Sequence, residues 1–149
     1  MKFSFSWLKD YLDTNLSADE VGDVLTDTGL EVESIIDPKK RLGKLSVGEI
    51  LKVEKHPNAD KLKVCEVKSS TGIINIVCGA PNVKSGMKVV VARPGDFIPG
   101  LDVHLKASKI RDVKSEGMMC SERELEISDE HDGIIELPSE TKVGTLFSE

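Results

Sequence analysis

The stretch of sequence that decides the fold runs from Lys61 to Cys78 and reads KLKVCEVKSSTGIINIVC. Polar and apolar residues alternate through Lys61–Lys68, which is the two-residue period of a strand with one buried face. Ile73–Cys78 is a second apolar run, and the Ser-Ser-Thr-Gly segment between the two runs is typical of a turn. The stretch therefore predicts two antiparallel strands joined by a short connection.

The sequence on either side of this pair predicts further short strands. Ser46–Glu54 precedes it, with the turn residues His56–Asp60 between them, and Met87–Ala92 follows it. Several short strands at regular spacing with turn signals favour a small barrel or sandwich. We predict a mainly β fold with short helices, in which a five-stranded barrel carries extra strands. The segments predicted to supply further pairing are Leu101–Ile110, Gly117–Cys120 and Asp132–Pro138.

Residues 1–39 have a different pattern and predict a small helical segment before the β domain, which we place at residues 40–149. Apolar residues at helical spacing predict a short helix over Ser6–Asp13. A Ser-x-x-Glu capping box at positions 17–20 and a glycine at position 29 predict the two ends of a second helix. Glu31–Ile35 alternates as a strand does. Units shorter than about 40 residues seldom fold without help, so this segment is expected to need a partner for its apolar face.

Charge is distributed unevenly along the 149 residues, whose net charge is −6. Residues 1–39 carry a net charge of −6, residues 40–121 carry +7 and residues 122–149 carry −7. Because salt screens charges more than about 10 Å away, a basic middle can attract a polyanion despite its acidic flanks. An ordinary solvated surface with uneven patches is the alternative interpretation.

The β domain has few aromatic side chains, and Phe97 and Phe147 are the two that follow the first eleven residues. Two rings cannot form a platform on which several unpaired bases stack. If this domain binds nucleic acid, we expect it to contact phosphates and to recognise shape rather than stacked bases.

Other classes of protein are disfavoured by the sequence. No apolar run approaches the ~18 residues of a membrane span, and charge interrupts the first ten residues before a secretory signal can form. Three cysteines without a CxxC pair disfavour both a disulfide framework and a zinc site, so we predict a cytoplasmic protein without a metal. Phosphate-loop and nucleophile motifs are also lacking, so we predict no catalytic residue.

Several separated blocks resemble the tRNA-binding OB module that is attached to several aminoacyl-tRNA synthetases, and the similarity covers about residues 40–149 in order. The opening resembles the N-terminus of the bacterial phenylalanyl-tRNA synthetase beta-chain family, through Phe3, Trp7-Leu8, Leu25-Thr26 and Gly29–Val32. The blocks of the module are His56–Val67, Ile76–Val83, Lys109–Arg111, Ser115–Ser121 and Glu124-Leu125.

The resemblance implies an OB-fold barrel that binds tRNA without catalysis, within a longer beta chain whose first 39 residues belong to a discontinuous domain. The parent of that family is an ATP-dependent phenylalanine-tRNA ligase that uses ATP and magnesium. Its beta chain pairs with an alpha subunit in a heterotetramer of two alpha and two beta chains, in the cytoplasm and without a membrane partner. The alternative is a structural spacer or subunit-interface domain with little direct RNA contact.

The resemblance also implies a set of tRNA-binding residues on the face of the second and third strands. Lys61 and Lys63 alternate on one side of a strand, so both are predicted to face a phosphate backbone. Arg111 is predicted to clamp a phosphate with two hydrogen bonds. Asn82 and Ser115 are predicted to bond a phosphate or a ribose 2′-hydroxyl. The full predicted set is Lys61, Lys63, Asn82, Lys109, Arg111, Ser115, Met118 and Ser121.

Structural roles compete with these predictions. An exposed lysine pair is usually only solvated, Met118 suits a core, and Asn82 suits a turn. Two positions also depart from the family, which usually has glycine where this chain has Asp112 and Glu126. Each puts a side chain where the family's turn calls for a positive φ, and Asp112 adds a negative charge beside Arg111.

Overall fold

The computed structural model describes residues 1–148, which form two compact units, Met1–Asp37 and a second unit that begins at Pro38. The first unit contains helices α1 (Phe5–Lys9) and α2 (Ala18–Asp27). None of the helices among the described residues is long and apolar enough to cross a lipid bilayer.

Helix α2 begins with the predicted capping box. The Ser17 hydroxyl accepts a hydrogen bond from the Glu20 N–H at 3.3 Å, and the Glu20 carboxylate accepts one from the Ser17 N–H at 2.8 Å. The Ser17 hydroxyl also donates to this carboxylate at 2.8 Å, and the two bonds donated by the Ser17 N–H and hydroxyl hold the pKa of Glu20 below its usual value. Two otherwise unpaired N–H groups of the first turn are therefore satisfied, and the prediction is confirmed.

The predicted glycine cap at the other end of α2 is confirmed as well. Gly29 has a φ of 98°, a conformation that costs little only for glycine. The Leu30 N–H donates to the Leu25 carbonyl at 2.8 Å, and the Gly29 N–H donates to the Thr26 carbonyl at 3.0 Å. This pair of bonds is a Schellman motif, which satisfies the last carbonyls of the helix.

Two predictions for the first unit are wrong in extent or type. The helix predicted over Ser6–Asp13 is the shorter α1, and Glu31–Ile35 forms no strand. A strand requires a hydrogen-bonded neighbour, and residues 1–37 contain no other extended segment that pairs with this one. Alternation of residue types alone does not supply that neighbour.

The second unit begins with helix α3 (Pro38–Leu42). Proline favours the first position of a helix because it has no N–H to leave unpaired there. A 3-10 turn, Pro99–Leu101, interrupts the later strands. The strands are β1 (Ser46–His56), β2 (Ala59–Ser69), β3 (Gly72–Cys78), β4 (Lys88–Ala92), β5 (Phe97–Ile98), β6 (Val103–His104), β7 (Ser108–Ile110), β8 (Val113–Ser115) and β9 (Met118–Met119).

The predicted mainly β fold is confirmed. Five strands form one antiparallel sheet in the order β3-β2-β1-β4-β9, and β5–β6 and β7–β8 form two separate two-stranded ribbons. The strand predicted over Leu101–Ile110 is divided between β6 and β7. The one predicted over Asp132–Pro138 is reduced to a bridge between Leu137 and Lys88.

Strand β4 lies between two apolar clusters, which is why its four valine and alanine residues are all buried. Val89 and Val91 pack with Ile50, Cys65, Val67 and Ile76 on one face of the sheet. Val90 and Ala92 pack on the other face, in a second cluster. The other buried members of this cluster are Leu42, Leu45, Ile98, Cys120 and Leu125.

The sheet is not closed by a continuous ladder, and its two edges meet at a seam between β3 and residues 115–117. The Glu116 N–H donates to the Asn75 carbonyl at 2.8 Å, and the Glu116 carboxylate accepts from the Asn75 N–H at 3.2 Å. The Ser115 hydroxyl accepts from the Val77 N–H at 3.1 Å. One backbone bond and two bonds to side-chain oxygens thus link the two edges where the ladder of strand pairing stops.

Candidate nucleic-acid interface

Two lysines face each other at one end of the main sheet. Lys55 on β1 lies directly opposite Lys63 on β2, and Lys63 lies directly opposite Cys78 on β3. The preceding row of the same face is Val53, Cys65 and Ile76, which belong to or pack against the core. The basic row therefore begins where the apolar interior ends, at the mouth of the barrel.

Lys63 is half-buried in this row, and its ammonium donates to the Val83 carbonyl at 3.4 Å. Lys55 is exposed. Like charges directly opposite each other destabilise an antiparallel pair. An arrangement of this kind favours the binding of an anion, because the anion removes the repulsion.

Lys61 lies in an irregularity of β2. His56 pairs with Ala59 while Lys55 pairs with Lys63, so residues 60–62 have no partner on β1. Strand pairing therefore does not test the prediction that Lys61 faces the same side as Lys63, because Lys61 lies in this irregular part of β2. Lys61 is exposed, two residues before Lys63 on the same strand.

The β7–β8 ribbon carries the second group of cations. Lys109 lies directly opposite Lys114, and both are exposed. The Lys114 ammonium lies 3.3 Å from the Glu116 carboxylate, an ion pair whose lysine side chain is 66% exposed. Lys109 belongs to no ion pair within 4 Å among residues 1–148, so its charge is available to a ligand.

The turn of this ribbon has an unusual backbone. Ile110 pairs with Val113, which leaves Arg111 and Asp112 as a two-residue turn with φ of 47° and 72°. Two successive positive φ angles define a type I′ turn, which normally selects asparagine and glycine. The predicted need for a positive φ at Asp112 is confirmed, and Glu126, with a φ of 55°, meets the same expectation.

Arg111 projects from this strained turn with an exposed side chain. Its guanidinium donates to the Asn58 carbonyl at 3.4 Å, a long contact. No ion pair with Asp112 occurs among the described residues. The arginine is therefore not neutralised by the acidic residue beside it.

The tip of the ribbon lies against the turn between β1 and β2. His56 is 4% exposed, and its Nε2 lies 2.8 Å from the Ile110 carbonyl. The His56 Nδ1 accepts from the Asn58 N–H at 3.0 Å. The Asn58 amide also donates to the Arg111 carbonyl at 3.4 Å. These contacts bring the ribbon's cations to the same end of the barrel as the Lys55–Lys63 row.

Three predicted binding residues use their polar groups within the protein. The Asn82 amide accepts from the Ile134 N–H at 3.0 Å and donates to the Ile134 carbonyl at 2.9 Å. Ser115 is buried at the seam, and its hydroxyl donates to the Gly117 carbonyl at 3.1 Å. Ser121 is buried, its N–H donates to the Glu124 carboxylate at 2.6 Å, and its hydroxyl accepts from the Glu124 N–H at 3.4 Å. These internal hydrogen bonds favour a structural role for the three residues over a contact with RNA.

Met118 is half-buried on β9 and lines a cleft of about 650 Å³ together with Cys78 and Ala80. Burial raises the pKa of the Cys78 thiol, and it raises that of Cys65 to about 11. All three cysteines are free, and residues 1–148 hold no group of three or more His, Cys, Asp or Glu side chains able to bind a metal ion.

Sequence reasoning missed Lys55, Lys114 and His56. Lys55 was missed because the first strand was predicted to end at Glu54, whereas β1 continues to His56. Counting outward from the Ile110–Val113 turn would have placed Lys114 opposite Lys109. No local signal indicates that His56 contacts a ribbon more than fifty residues later.

Comparison with known proteins shows which family this chain resembles. Residues 45–146 match the family described as "Putative tRNA binding domain". One solved structure, a MetRS-related protein from Pyrococcus horikoshii, aligns with a TM-score of 0.51 and 24% identity over 74% of this chain and 95% of that one. At that identity the likeness shows a shared fold.

Relatives of much higher identity are beta subunits of phenylalanine–tRNA ligase. The chain is 58% identical over 147 residues to the subunit of Ruegeria pomeroyi, and 53% identical over 144 residues to that of Paramagnetospirillum magneticum. The alignments cover 99% and 97% of this chain. The chain spans 18% of the length of each subunit.

Proposed function

The chain belongs to the tRNA-binding domain family, and we propose that it is the non-catalytic tRNA-binding module of a phenylalanine–tRNA ligase beta subunit. In this role it holds tRNA while aminoacylation takes place elsewhere in the enzyme. We assign the ligase's ATP and magnesium to those other parts, and no residue of this chain to either. The proposed partners are tRNA and an alpha subunit, in an assembly of two alpha and two beta chains in the cytoplasm.

The observation that best supports tRNA binding is that two neighbouring parts of the fold each carry a pair of facing lysines. Lys55 faces Lys63 at the mouth of the barrel, and Lys109 faces Lys114 in the β7–β8 ribbon. Facing lysines repel each other in the free protein and attract the closely spaced phosphates of a nucleic acid. Arg111 adds a guanidinium that suits a phosphate with two hydrogen bonds.

We therefore propose a contact set that differs from the one implied by sequence. It consists of Lys55, Lys61, Lys63, Lys109 and Arg111, with Lys114 at its edge. Asn82, Ser115 and Ser121 support these residues by fixing the backbone, since their polar groups are bonded within the protein.

We also propose that residues 1–39 belong to a domain completed by another part of the longer beta chain. Large apolar side chains of this segment are exposed, among them Trp7 at 54% and Leu30 at 65%. Exposed apolar residues at this density in so short a segment indicate a face that another chain segment covers.

The test is the salt dependence of tRNA binding. A fluorescently labelled tRNA specific for phenylalanine is titrated with the 149-residue chain at several chloride concentrations. We expect log affinity to fall with log salt at a slope of about −3.5 to −4.5, since each of the five proposed cations neutralises one phosphate and contributes roughly −0.7 to −0.9. A flat slope, or no binding at low salt, would favour the spacer or subunit-interface alternative.

A matched pair of variants locates the contact. Lys63→Ala removes a lysine at the mouth of the barrel, whereas Lys68→Ala removes an exposed lysine five residues along the same strand and on its other face. We expect Lys63→Ala to weaken binding by at least about tenfold, as for one charge-assisted hydrogen bond, and Lys68→Ala to leave it nearly unchanged. Equal losses from both would indicate a non-specific charge effect.

A further inference from the structure

The β7–β8 ribbon depends on contacts outside itself for its position. It contains three residues on each strand and is not part of the main sheet. An isolated two-stranded ribbon is at best marginally stable in water. The orientation of Lys109 and Arg111 is therefore determined by what holds the two ends of the ribbon.

The base of the ribbon is held at the seam of the barrel. The buried Ser115 hydroxyl accepts from the Val77 N–H and donates to the Gly117 carbonyl, both at 3.1 Å. These bonds fix one end, but a ribbon fixed at one end alone can still rotate about it. The position of the tip requires a second attachment.

His56 supplies that attachment. Its Nδ1 accepts from the Asn58 N–H at 3.0 Å, so the ring hydrogen must be on Nε2 and is donated to the Ile110 carbonyl at 2.8 Å. The other two contacts at the tip join Asn58 and Arg111 and are both 3.4 Å long. The bond from His56 is therefore the short and buried one.

We propose that His56 is a positioning residue of the nucleic-acid interface, which fastens the tip of the β7–β8 ribbon to the β1–β2 turn and so holds Arg111 and Lys109 beside the Lys55–Lys63 row. The inference rests on the proposed tRNA-binding function. It assigns no contact with RNA to the buried ring itself. His56 acts by joining two groups of cations that belong to different parts of the fold.

Two substitutions of His56 separate this role from ordinary support of the turn. In His56→Gln the side-chain amide reaches about as far as Nε2 and can still donate to the Ile110 carbonyl. In His56→Asn the amide reaches only as far as Nδ1, so the bond to Asn58 can persist while the bond to the ribbon is lost. Both variants lose one of the two bonds, and we expect similar decreases in thermal midpoint.

The two variants should differ in their affinity for tRNA. We expect His56→Asn to weaken tRNA binding by at least about tenfold and to reduce the magnitude of the salt slope by about 1.5 to 2, because the phosphate contacts of Arg111 and Lys109 are lost. We expect His56→Gln to bind within about twofold of the unsubstituted chain, which is less than a single hydrogen bond contributes. Equal losses of affinity from both variants would overturn the proposal. His131→Gln, at an exposed histidine, is the matched control.

A double-mutant cycle gives a second, independent test. If His56 acts through Arg111 and Lys109, His56→Asn should cause little further loss in a background that carries both Arg111→Ala and Lys109→Ala. Additive losses would overturn the proposal. If His56→Asn does not fold, Asn58→Ala at an exposed position removes the neighbouring contact with the tip, and the same cycle with Arg111→Ala and Lys109→Ala is measured. Absence of tRNA binding by the unsubstituted chain would instead refute the proposed function.

Discussion

Glu116 and Asn75 exchange two hydrogen bonds across the seam of the barrel, one from backbone to backbone at 2.8 Å and one from the Asn75 N–H to the Glu116 carboxylate at 3.2 Å. The Glu116 carboxylate oxygen accepts the hydrogen bond that a backbone carbonyl of a neighbouring strand would otherwise accept. The bond from Asn75, followed by the nearby Lys114 ammonium, holds the pKa of Glu116 below its usual value. The closure of the sheet is thus coupled to an ionised group.

The first prediction concerns pH and this carboxylate. Because the pKa of Glu116 is lower in the folded protein, the ionised group stabilises the fold above its unfolded-state pKa, and this contribution is lost as pH falls through the folded-state pKa. We expect Glu116→Gln to lower the thermal midpoint at pH 7, and the difference to shrink below about pH 4.3. Glu136→Gln, the same change at an exposed position, is the control. A difference that stays constant with pH would contradict the prediction.

The second prediction concerns the strained turn. Asp112→Gly should raise stability by roughly 0.5–1 kcal/mol, because glycine adopts a φ of 72° without a Cβ penalty. It should also strengthen tRNA binding, since a negative charge beside Arg111 is removed. Asp102→Gly, at a φ of 50° in a different loop, should give the gain in stability without the gain in affinity. Chemical denaturation and tRNA titration measure the two effects, and equal affinities for both variants would exclude the charge effect.

The third prediction assigns Asn82 to the fold. Asn82→Ala leaves the N–H and carbonyl of Ile134 without their partner, and we expect a loss of about 1–3 kcal/mol in the free energy of unfolding. At a temperature where both proteins are folded, tRNA affinity should be unchanged. Lys63→Ala should show the opposite pattern, with lower affinity and no loss of stability. A large loss of affinity from Asn82→Ala in the folded protein would restore its predicted contact with RNA.

The fourth prediction uses the cysteines as reporters of the interface. Burial raises the pKa of Cys65 to about 11 and that of Cys120 to about 12, so both should resist iodoacetamide at pH 8 in the native protein. Cys78 is half-buried beside Lys63 and should react faster than either. Bound tRNA should slow the alkylation of Cys78, as measured by mass spectrometry. Unchanged alkylation of Cys78 at saturating tRNA would place the contact elsewhere.

The sequence was most informative where structure depends on neighbouring residues. Three features follow from local periodicity and turn chemistry: the capping box of Ser17 and Glu20, the glycine cap at Gly29, and the strand pair joined at residues 70–71. Glu31–Ile35 has an equally clear local pattern and forms no strand, because pairing depends on a partner that local sequence does not specify.

The site was harder to predict for a related reason. Asparagine and serine bond equally well to a phosphate and to a backbone, and only the fold shows that Asn82 and Ser115 bond to the backbone. Lys55 was missed because the first strand was predicted to end at Glu54, and its register opposite Lys63 leaves residues 60–62 of β2 without a partner on β1. The two-residue period of a strand does not predict where such an irregularity occurs.

The facing lysine pairs have a consequence for how this domain tolerates mutation. Neutral substitutions at Lys55 or Lys109 would relieve the repulsion between facing lysines and so raise the stability of the ligand-free domain. The same substitutions would lower its affinity for RNA. A search for thermostable variants alone would therefore tend to select substitutions of the residues that we propose to contact RNA. Multivalent anions such as sulfate should imitate the ligand by protecting the unsubstituted domain against heat.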